Sequence, residues 1–464
     1  MDTKPLKADR AVVIGASVAG LLAARVLSER FGEVVLLERD DLPDCATPRK
    51  GTPHAVHPHG LLARGRVVLE ALFPGFTEAL VAQGALLGDI GIDMAVDVGR
   101  RRFARRALGA EGIAVSRLAI EAEFRRRVRS RPGVRLVTGV EVLEPVHEAG
   151  RLRGVRYRNQ ADDGAIAQVL EAALVVDCSG RASRSPQWLR SWGYEPPAEE
   201  RVVVDLAYTS AYFARDATHV PPLACVIGAA TPSLPRPSIL LAQEPDADGR
   251  ARWVAGVGGY AGDHVEPTCE AIAERARANG NAEIAALAEQ GQPIGPVMRY
   301  RFPNSQRRRY ERLRRFPGRF LVLGDALASF NPVYGQGMSV AACQALSLRE
   351  ALLTGLDGNL ARRYFQAAAR VVDTPWHLAV NADLGLPSVP GPRPFPLRWI
   401  NAYIARVQRV ATTDAAVAGA FVRVMHLLAL PSSLFAPWVL WRVWRGGTPT
   451  AQATTPLQMS TGSK

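Results

Sequence analysis

Gly324-Asp325-Ala326-Leu327-Ala328-Ser329-Phe330-Asn331-Pro332-Val333-Tyr334-Gly335-Gln336-Gly337-Met338 carries more structural information than any other run in the chain. An apolar strand, Phe320-Leu321-Val322-Leu323, precedes it, and a helix rich in small residues follows from near Ser339. An acid closes the strand, and glycines bracket a turn into a helix N-terminus. Such a turn presents backbone N–H groups and the positive end of a helix dipole to an electron-rich ligand.

Its partner lies near the N-terminus, in Arg10-Ala11-Val12-Val13-Ile14-Gly15-Ala16-Ser17-Val18-Ala19-Gly20. The apolar run is a buried parallel strand, an Ala/Leu-rich helix follows over Leu21 to Arg30, and a second strand, Val34 to Leu37, ends in Glu38. This order of elements is a βαβ unit of the dinucleotide-binding type. Gly15 permits the tight turn, Gly20 lets helix and strand approach, and Glu38 is placed to accept hydrogen bonds from ribose hydroxyls. Ser17 stands where the middle glycine of the motif is usual.

Together the two motifs give the chain a resemblance to the FAD-dependent monooxygenases of the aromatic-hydroxylase and squalene-epoxidase superfamily. It spans about residues 10–380 and is densest in the glycine loop with Glu38, in Val115-Ser116-Arg117-Leu118-Ala119-Ile120-Glu121, and in the Gly324–Met338 segment. The resemblance implies a Rossmann-like FAD-binding domain, an antiparallel β-sheet substrate domain and a helical C-terminal region. It also implies non-covalent FAD. Glu38 would hold the adenosine ribose, Arg117 would lie along the pyrophosphate and ribityl chain, and Asp325 would hold the ribityl chain. The turn of Pro332, Gly335, Gln336, Gly337 and Met338 would face the flavin pyrimidine edge. Ala16, Ser17, Arg39, Arg49, Lys50 and Val142 complete the expected cofactor site.

Pro48-Arg49-Lys50-Gly51-Thr52-Pro53-His54-Ala55-Val56-His57-Pro58-His59-Gly60-Leu61-Leu62 is similar to the corresponding segment of flavin epoxidases of polyether and terpenoid pathways, and to related halogenases and hydroxylases. Lysine occurs only at Lys4, Lys7, Lys50 and Lys464, so a lone internal Lys50 beside Arg49 suggests a charge placed near the flavin. The alternating His54, His57 and His59 lack a nearby cysteine or a suitably spaced acid. They are expected to line the flavin loop or to pack, with no metal site.

Hydrophobic residues make up 48% and charged residues 22%, the profile of a globular enzyme with a large core. Five cysteines form no CxxC pair, which fits a reducing, cytoplasmic setting. The polar run Met1 to Arg10 shows no signal peptide. A net charge of +13 arises from arginine clusters at 100–106, 125–131 and 306–315. With aromatics at only 7%, no nucleic-acid module is indicated. The cluster in Glu121 to Arg131 is expected as a solvated helix face. Basic surface could attract an acidic carrier protein, a flavin reductase or an anionic membrane.

The expected organisation is an FAD-binding domain over 10–180 that returns at 316–355, a β-sheet substrate domain over 181–315, a helical region over 356–445 and a disordered tail over 446–464. Within the first part, 134–137, 140–143, 152–157 and 173–177 are expected strands. Asp177-Cys178-Ser179-Gly180 resembles the family's Asp-Gly motif, with Ser179 where the acid is usual. That weakens direct NAD(P)H use and leaves open a separate flavin reductase. The apolar stretch 416–445 is interrupted by Arg423, His426 and Pro431. It is expected as two helices that cover the core, line a substrate vestibule or make peripheral membrane contact.

The resemblance implies an oxidoreductase of secondary metabolism whose activity follows from the flavin. One oxygen atom of O2, carried by a C4a-hydroperoxide, would enter an electron-rich alkene of a hydrophobic polyketide or isoprenoid. Side chains need only orient the substrate and exclude water, so no catalytic residue is assigned. The alternatives are an aromatic ring hydroxylase, a flavin-dependent reductase of isoprenoid double bonds and a flavin halogenase. The halogenase Trp-x-Trp-x-Ile-Pro motif and its downstream lysine are absent.

Overall fold

A computed structural model describes residues 6–161, 166–215 and 223–446. The expected tail at 446–464 lies outside them apart from Gly446. At the centre is a five-stranded parallel sheet, in the order Phe320–Val322, Leu174–Asp177, Leu6–Ile14, Phe31–Leu37, Val134–Val137. Val12 stands opposite Val35 on one side and Val175 on the other. Ala11, Val12 and Val13 are wholly buried because helices or strands cover both faces, which is why the strand reads as an unbroken apolar run. Helix Val18–Leu27 packs on this sheet beside helix Gly337–Leu353, so the two sequence motifs meet. A three-stranded antiparallel layer, Val140–Glu148, Arg151–Asn159 and Gln168–Glu171, lies against the other side.

The second layer is an eight-stranded sheet built mainly from Glu199–Ala214, Cys225–Ala229, Ser238–Gln243, Arg252–Gly259 and Pro293–Arg308. Met94–Val98, from the N-terminal part of the chain, joins this sheet parallel to Cys225–Ala229. Ala328–Ser329 joins its opposite edge, immediately after the Gly324–Asp325 turn. Helices Cys269–Asn279 and Ala282–Gln290 cover one face through Ile272, Ala276 and Ile284. The long helix Leu360–Gly385 leads to Phe395–Ala411, Ala415–Met425 and Pro437–Arg445. Val407, Val417, Val422 and Val439 of these helices pack with Ile90, Met94 and Val96. The fold is mixed α/β, as expected, with the eight-stranded sheet seated over the carboxyl ends of the parallel strands.

Helix Arg117–Arg129 is only half a solvated arginine face. Glu121, Glu123 and Arg125 are buried, and Arg125 donates to the Cys45 carbonyl at 3.1 Å. Ser116 caps the helix by accepting from the Ala119 N–H at 3.0 Å.

Candidate active site

A cavity of about 690 Å³ opens where the glycine turn, the loop 48–60 and the Gly324–Met338 segment converge. Gly15, Ser17, Glu38, Arg39, Arg49, Arg117, Val142, Asp325, Pro332, Gly335, Gln336, Gly337 and Met338 line it. Ala16, Gly20 and Lys50 do not. Gly20 is a packing residue, since a Cβ there would lie 1.9 Å from the Gly15 carbonyl oxygen. Gly15 has φ +94°, and a Cβ on it would meet the Cys178 carbonyl oxygen at 2.7 Å. Lys50 corrects the expectation placed on it. It is exposed at a turn and does not reach the cavity, because Arg49 takes the inward position.

Glu38 is buried and already holds the turn together. Its Oε2 accepts from the Ala16 N–H at 2.7 Å, and its Oε1 accepts from the Arg39 N–H at 2.9 Å and the Asp40 N–H at 3.1 Å. Only part of its acceptor capacity is left for a ligand hydroxyl. Arg49 donates to Glu121 Oε1 at 3.0 Å and to Asp40 Oδ2 at 2.8 Å, and it lies 3.5 Å from Glu38. Desolvation works against the Arg49 charge, but Glu121, Glu38 and Asp40 outweigh it and leave the pKa raised. The guanidinium is a buried clamp on three carboxylates.

Arg117 reaches across the cavity floor. It donates to His54 Nε2 at 2.7 Å and to Ser17 Oγ at 3.2 Å, while Ser17 donates to Glu121 at 2.9 Å. Ser17 thus carries a polar bridge that a glycine could not form. Arginine has no acceptor, so His54 Nε2 must be the unprotonated nitrogen. Burial and the neighbouring Arg117 push the His54 pKa down to about 2, and burial takes His57 to about 4. His57 Nδ1 sits 2.5 Å from Ser210 Oγ, and its ring meets Tyr208 edge-on at 4.8 Å. The three histidines are neutral packing and hydrogen-bonding groups.

Asp325 is a free acceptor in the cavity wall. Its carboxylate makes no hydrogen bond with another described residue. Burial raises its pKa, and Arg117 and Arg181 pull it back. Gly324, at φ +74°, allows Ala19 to approach, since a Cβ there would be 2.4 Å from the Ala19 Cβ. Helix Gly337–Leu353 then starts with no side-chain cap, and the buried Gln336 Oε1 beside it has no partner. An unpartnered carboxylate, an uncapped helix end and glycines at the points of closest approach suit a dinucleotide with hydroxyl donors and an electron-rich ring.

A second cavity of about 460 Å³ adjoins the first. Gly60, Tyr208, Pro332, Gly335 and Gln336 line both. Its walls are apolar: Leu61, Ile90, Met94, Val96, Ile227, Ile239 and Leu241 on one side, Leu378, Ile404, Phe421, Val424 and Leu434 on the other. The carboxylates near it are committed to backbone. Asp89 accepts from the N–H groups of Gly91, Leu108 and Gly109, and Asp93 accepts from that of Asp89 at 2.7 Å. His426, pushed down to about 4 by burial, accepts from the Ala63 N–H at 3.2 Å. The stretch 416–445 therefore lines a vestibule with helix Ala415–Met425 and the turn Pro431–Phe435. Helix Pro437–Arg445 follows that turn, so the stretch holds the two expected helices, joined through a short 3-10 turn that begins at Pro431.

Several site groups were not singled out from the sequence. Asp383 lies behind the shared turn and accepts from Tyr334 Oη at 2.7 Å, Asn331 Nδ2 at 2.9 Å and Tyr260 Oη at 3.3 Å. Arg181 stacks over Phe302 at 4.9 Å and donates to Asn304. No local pattern marks residues that meet only through tertiary contact. Asp177, by contrast, is spent internally on the Ser179 N–H and on the Ser183 and Ser185 hydroxyls.

No family model matches the chain. Protein Rv3254 of Mycobacterium tuberculosis is 34% identical over 435 residues, 90% of each chain, and the chain belongs to the same family as that protein. Among solved structures, the flavin-dependent brominase Bmp2 covers 94% of this chain and 99% of its own at 14% identity, with TM-score 0.64. The p-nitrophenol 4-monooxygenase PnpA of Pseudomonas putida covers 90% and 97% at 16% identity, with TM-score 0.60. The flavin-dependent halogenase CmlS covers 96% and 78% at 14% identity, with TM-score 0.60. The fold is that of the flavin-dependent monooxygenases and halogenases.

Proposed function

We propose that the protein is an FAD-dependent monooxygenase that places one oxygen atom of O2 on an electron-rich alkene of a hydrophobic small molecule. The observation that carries this reading is the apolar cavity joined to the dinucleotide-shaped cavity at the Pro332–Gln336 turn. Bound FAD, once reduced, supplies the activation of O2. The chain's own residues bind and shield. Asp325 and Glu38 would accept from ribityl and ribose hydroxyls, and Arg117 would lie along the pyrophosphate. The N-terminus of helix Gly337–Leu353 would stabilise negative charge on the ring. The apolar walls exclude water and hold the alkene beside Gln336 and Tyr208. Acids tied to backbone donors favour a reaction without a general base over phenol hydroxylation. No lysine lines either cavity, which disfavours halogenation. The commitment of Asp177 to its own loop favours electrons from a separate flavin reductase.

The test supplies reduced flavin and isotopically labelled dioxygen to the purified protein with unsaturated isoprenoids and polyketides. Label in an epoxide is the expected result. A saturated, oxygen-free product would make it a reductase, and a halogenated product in the presence of halide would make it a halogenase. Fast NADPH oxidation by the isolated protein, strongly stimulated by a small phenol, would make it an aromatic hydroxylase.

A further inference from the structure

Helices Phe395–Ala411 and Pro437–Arg445 bury one side and leave the other uncovered. Val407, Val410, Val439 and Val443 face the core. On the outer side Phe395 is 75% exposed, Trp399 68%, Trp441 50% and Trp444 74%. The rings run on from one another. Phe395 and Trp399 have centroids 6.5 Å apart, and Tyr403, one turn beyond Trp399, stacks on Phe435 at 4.7 Å. Arg406 donates to the Val443 and Trp444 carbonyls and so ties the two helices together.

The charge on this region has one sign. Between residues 385 and 446 the only acid is Asp414, which is buried and pairs with Arg442 at 2.8 Å. Arg398 and Arg409 are exposed and have no carboxylate partner among the described residues. Arg445 lies over the Trp441 ring at 4.4 Å. The apolar cavity reaches the same face: Ile400, 39% exposed, and Phe435, 43% exposed, both belong to its wall.

We infer that this face seats on the surface of an anionic phospholipid bilayer, and that apolar substrate enters the cavity from the lipid. Tryptophan places an apolar ring and an N–H donor at the boundary between acyl chains and headgroups, and guanidinium pairs with lipid phosphate. Attachment is interfacial, since no helix among the described residues is long and apolar enough to cross a membrane. A second copy is a poorer occupant, because a two-fold interface would set these arginines against themselves. The seating on lipid does not rest on the flavin reading, whereas the entry of substrate from the lipid does; flotation tests the seating by itself.

Vesicle flotation of the full chain tests it, with phosphatidylcholine vesicles compared against vesicles containing phosphatidylglycerol. Binding is expected to the anionic vesicles, weaker on the order of a hundred-fold to neutral ones given three unpaired arginines, and reduced by salt. Trp399→Ser/Trp441→Ser/Trp444→Ser and, separately, Arg398→Glu/Arg409→Glu should abolish flotation. Arg101→Glu/Arg314→Glu, the same charge change elsewhere, should leave it intact. Failure of the unaltered chain to float with anionic vesicles would overturn the inference. So would equal loss in the control pair, which would mean diffuse attraction to net charge. Sedimentation showing a dimer that the tryptophan variant splits, without vesicle binding, would assign the face to a second copy.

Discussion

Replacing Asp325 by Asn or Ala separates a ligand-holding carboxylate from a structural one. The group has no hydrogen bond to another described residue, and its pKa is raised above the ordinary 3.8 by burial, against the pull of Arg117 and Arg181. A carboxyl whose folded pKa is raised binds more protons folded than unfolded, so its contribution to stability is lost as pH rises through that window. Near neutral pH the ionised form therefore costs the apoprotein stability, and Asp325→Asn should leave apoprotein unfolding unchanged or move it upward. FAD binding should move the other way. A charge-assisted hydrogen bond to a ribityl hydroxyl is worth ~1.5–3 kcal/mol, which weakens Kd roughly ten- to a hundred-fold. Fluorescence titration of apoprotein with FAD reads the second effect, and thermal unfolding without FAD reads the first. An unchanged Kd together with a destabilised apoprotein would refute the reasoning and make Gly324-Asp325 a strand end alone.

Two further perturbations follow from buried charge. The Asp383 carboxyl is pushed up to about 7 by burial, against the donors Tyr334, Asn331 and Tyr260. Its contribution is present below about pH 4 and lost as pH rises to about 7, up to about 4 kcal/mol. Asp383→Asn should flatten the stability–pH curve over that interval in urea unfolding, and an unaltered slope would show the carboxyl is hydrated. Arg49→Met removes the buried cation that Glu38, Asp40 and Glu121 share and should cost about 3–5 kcal/mol at neutral pH in urea unfolding. A midpoint equal to that of the unaltered protein at neutral pH would contradict the clamp.

The parallel sheet and both glycine turns were legible in the chain because their causes are local. A strand buried on two faces must be an unbroken apolar run, and a turn with φ near +90° that touches backbone must be glycine, as at Gly15. The order of strand, turn, helix and terminal Glu38 then required a dinucleotide-type unit. Local sequence could not say which of two adjacent cations faces inward. Arg49 does, because Asp40 and Glu121 meet it there, and Lys50 is left in solvent. Nor could it show that Arg117 finds His54 across 63 residues, or that Asp383 closes a network with Tyr334 and Asn331 behind the shared turn. The stretch 416–445 was visible as apolar, but hydrophobicity has no direction along the chain. Tertiary structure decided that helix Ala415–Met425 is buried as cavity wall, while Pro437–Arg445 and the unanticipated Phe395–Trp399 turn their rings to the outside. Local conformation and cofactor-loop chemistry depend on neighbours in sequence, whereas burial, charge pairing and cavity shape depend on which distant elements come to rest together.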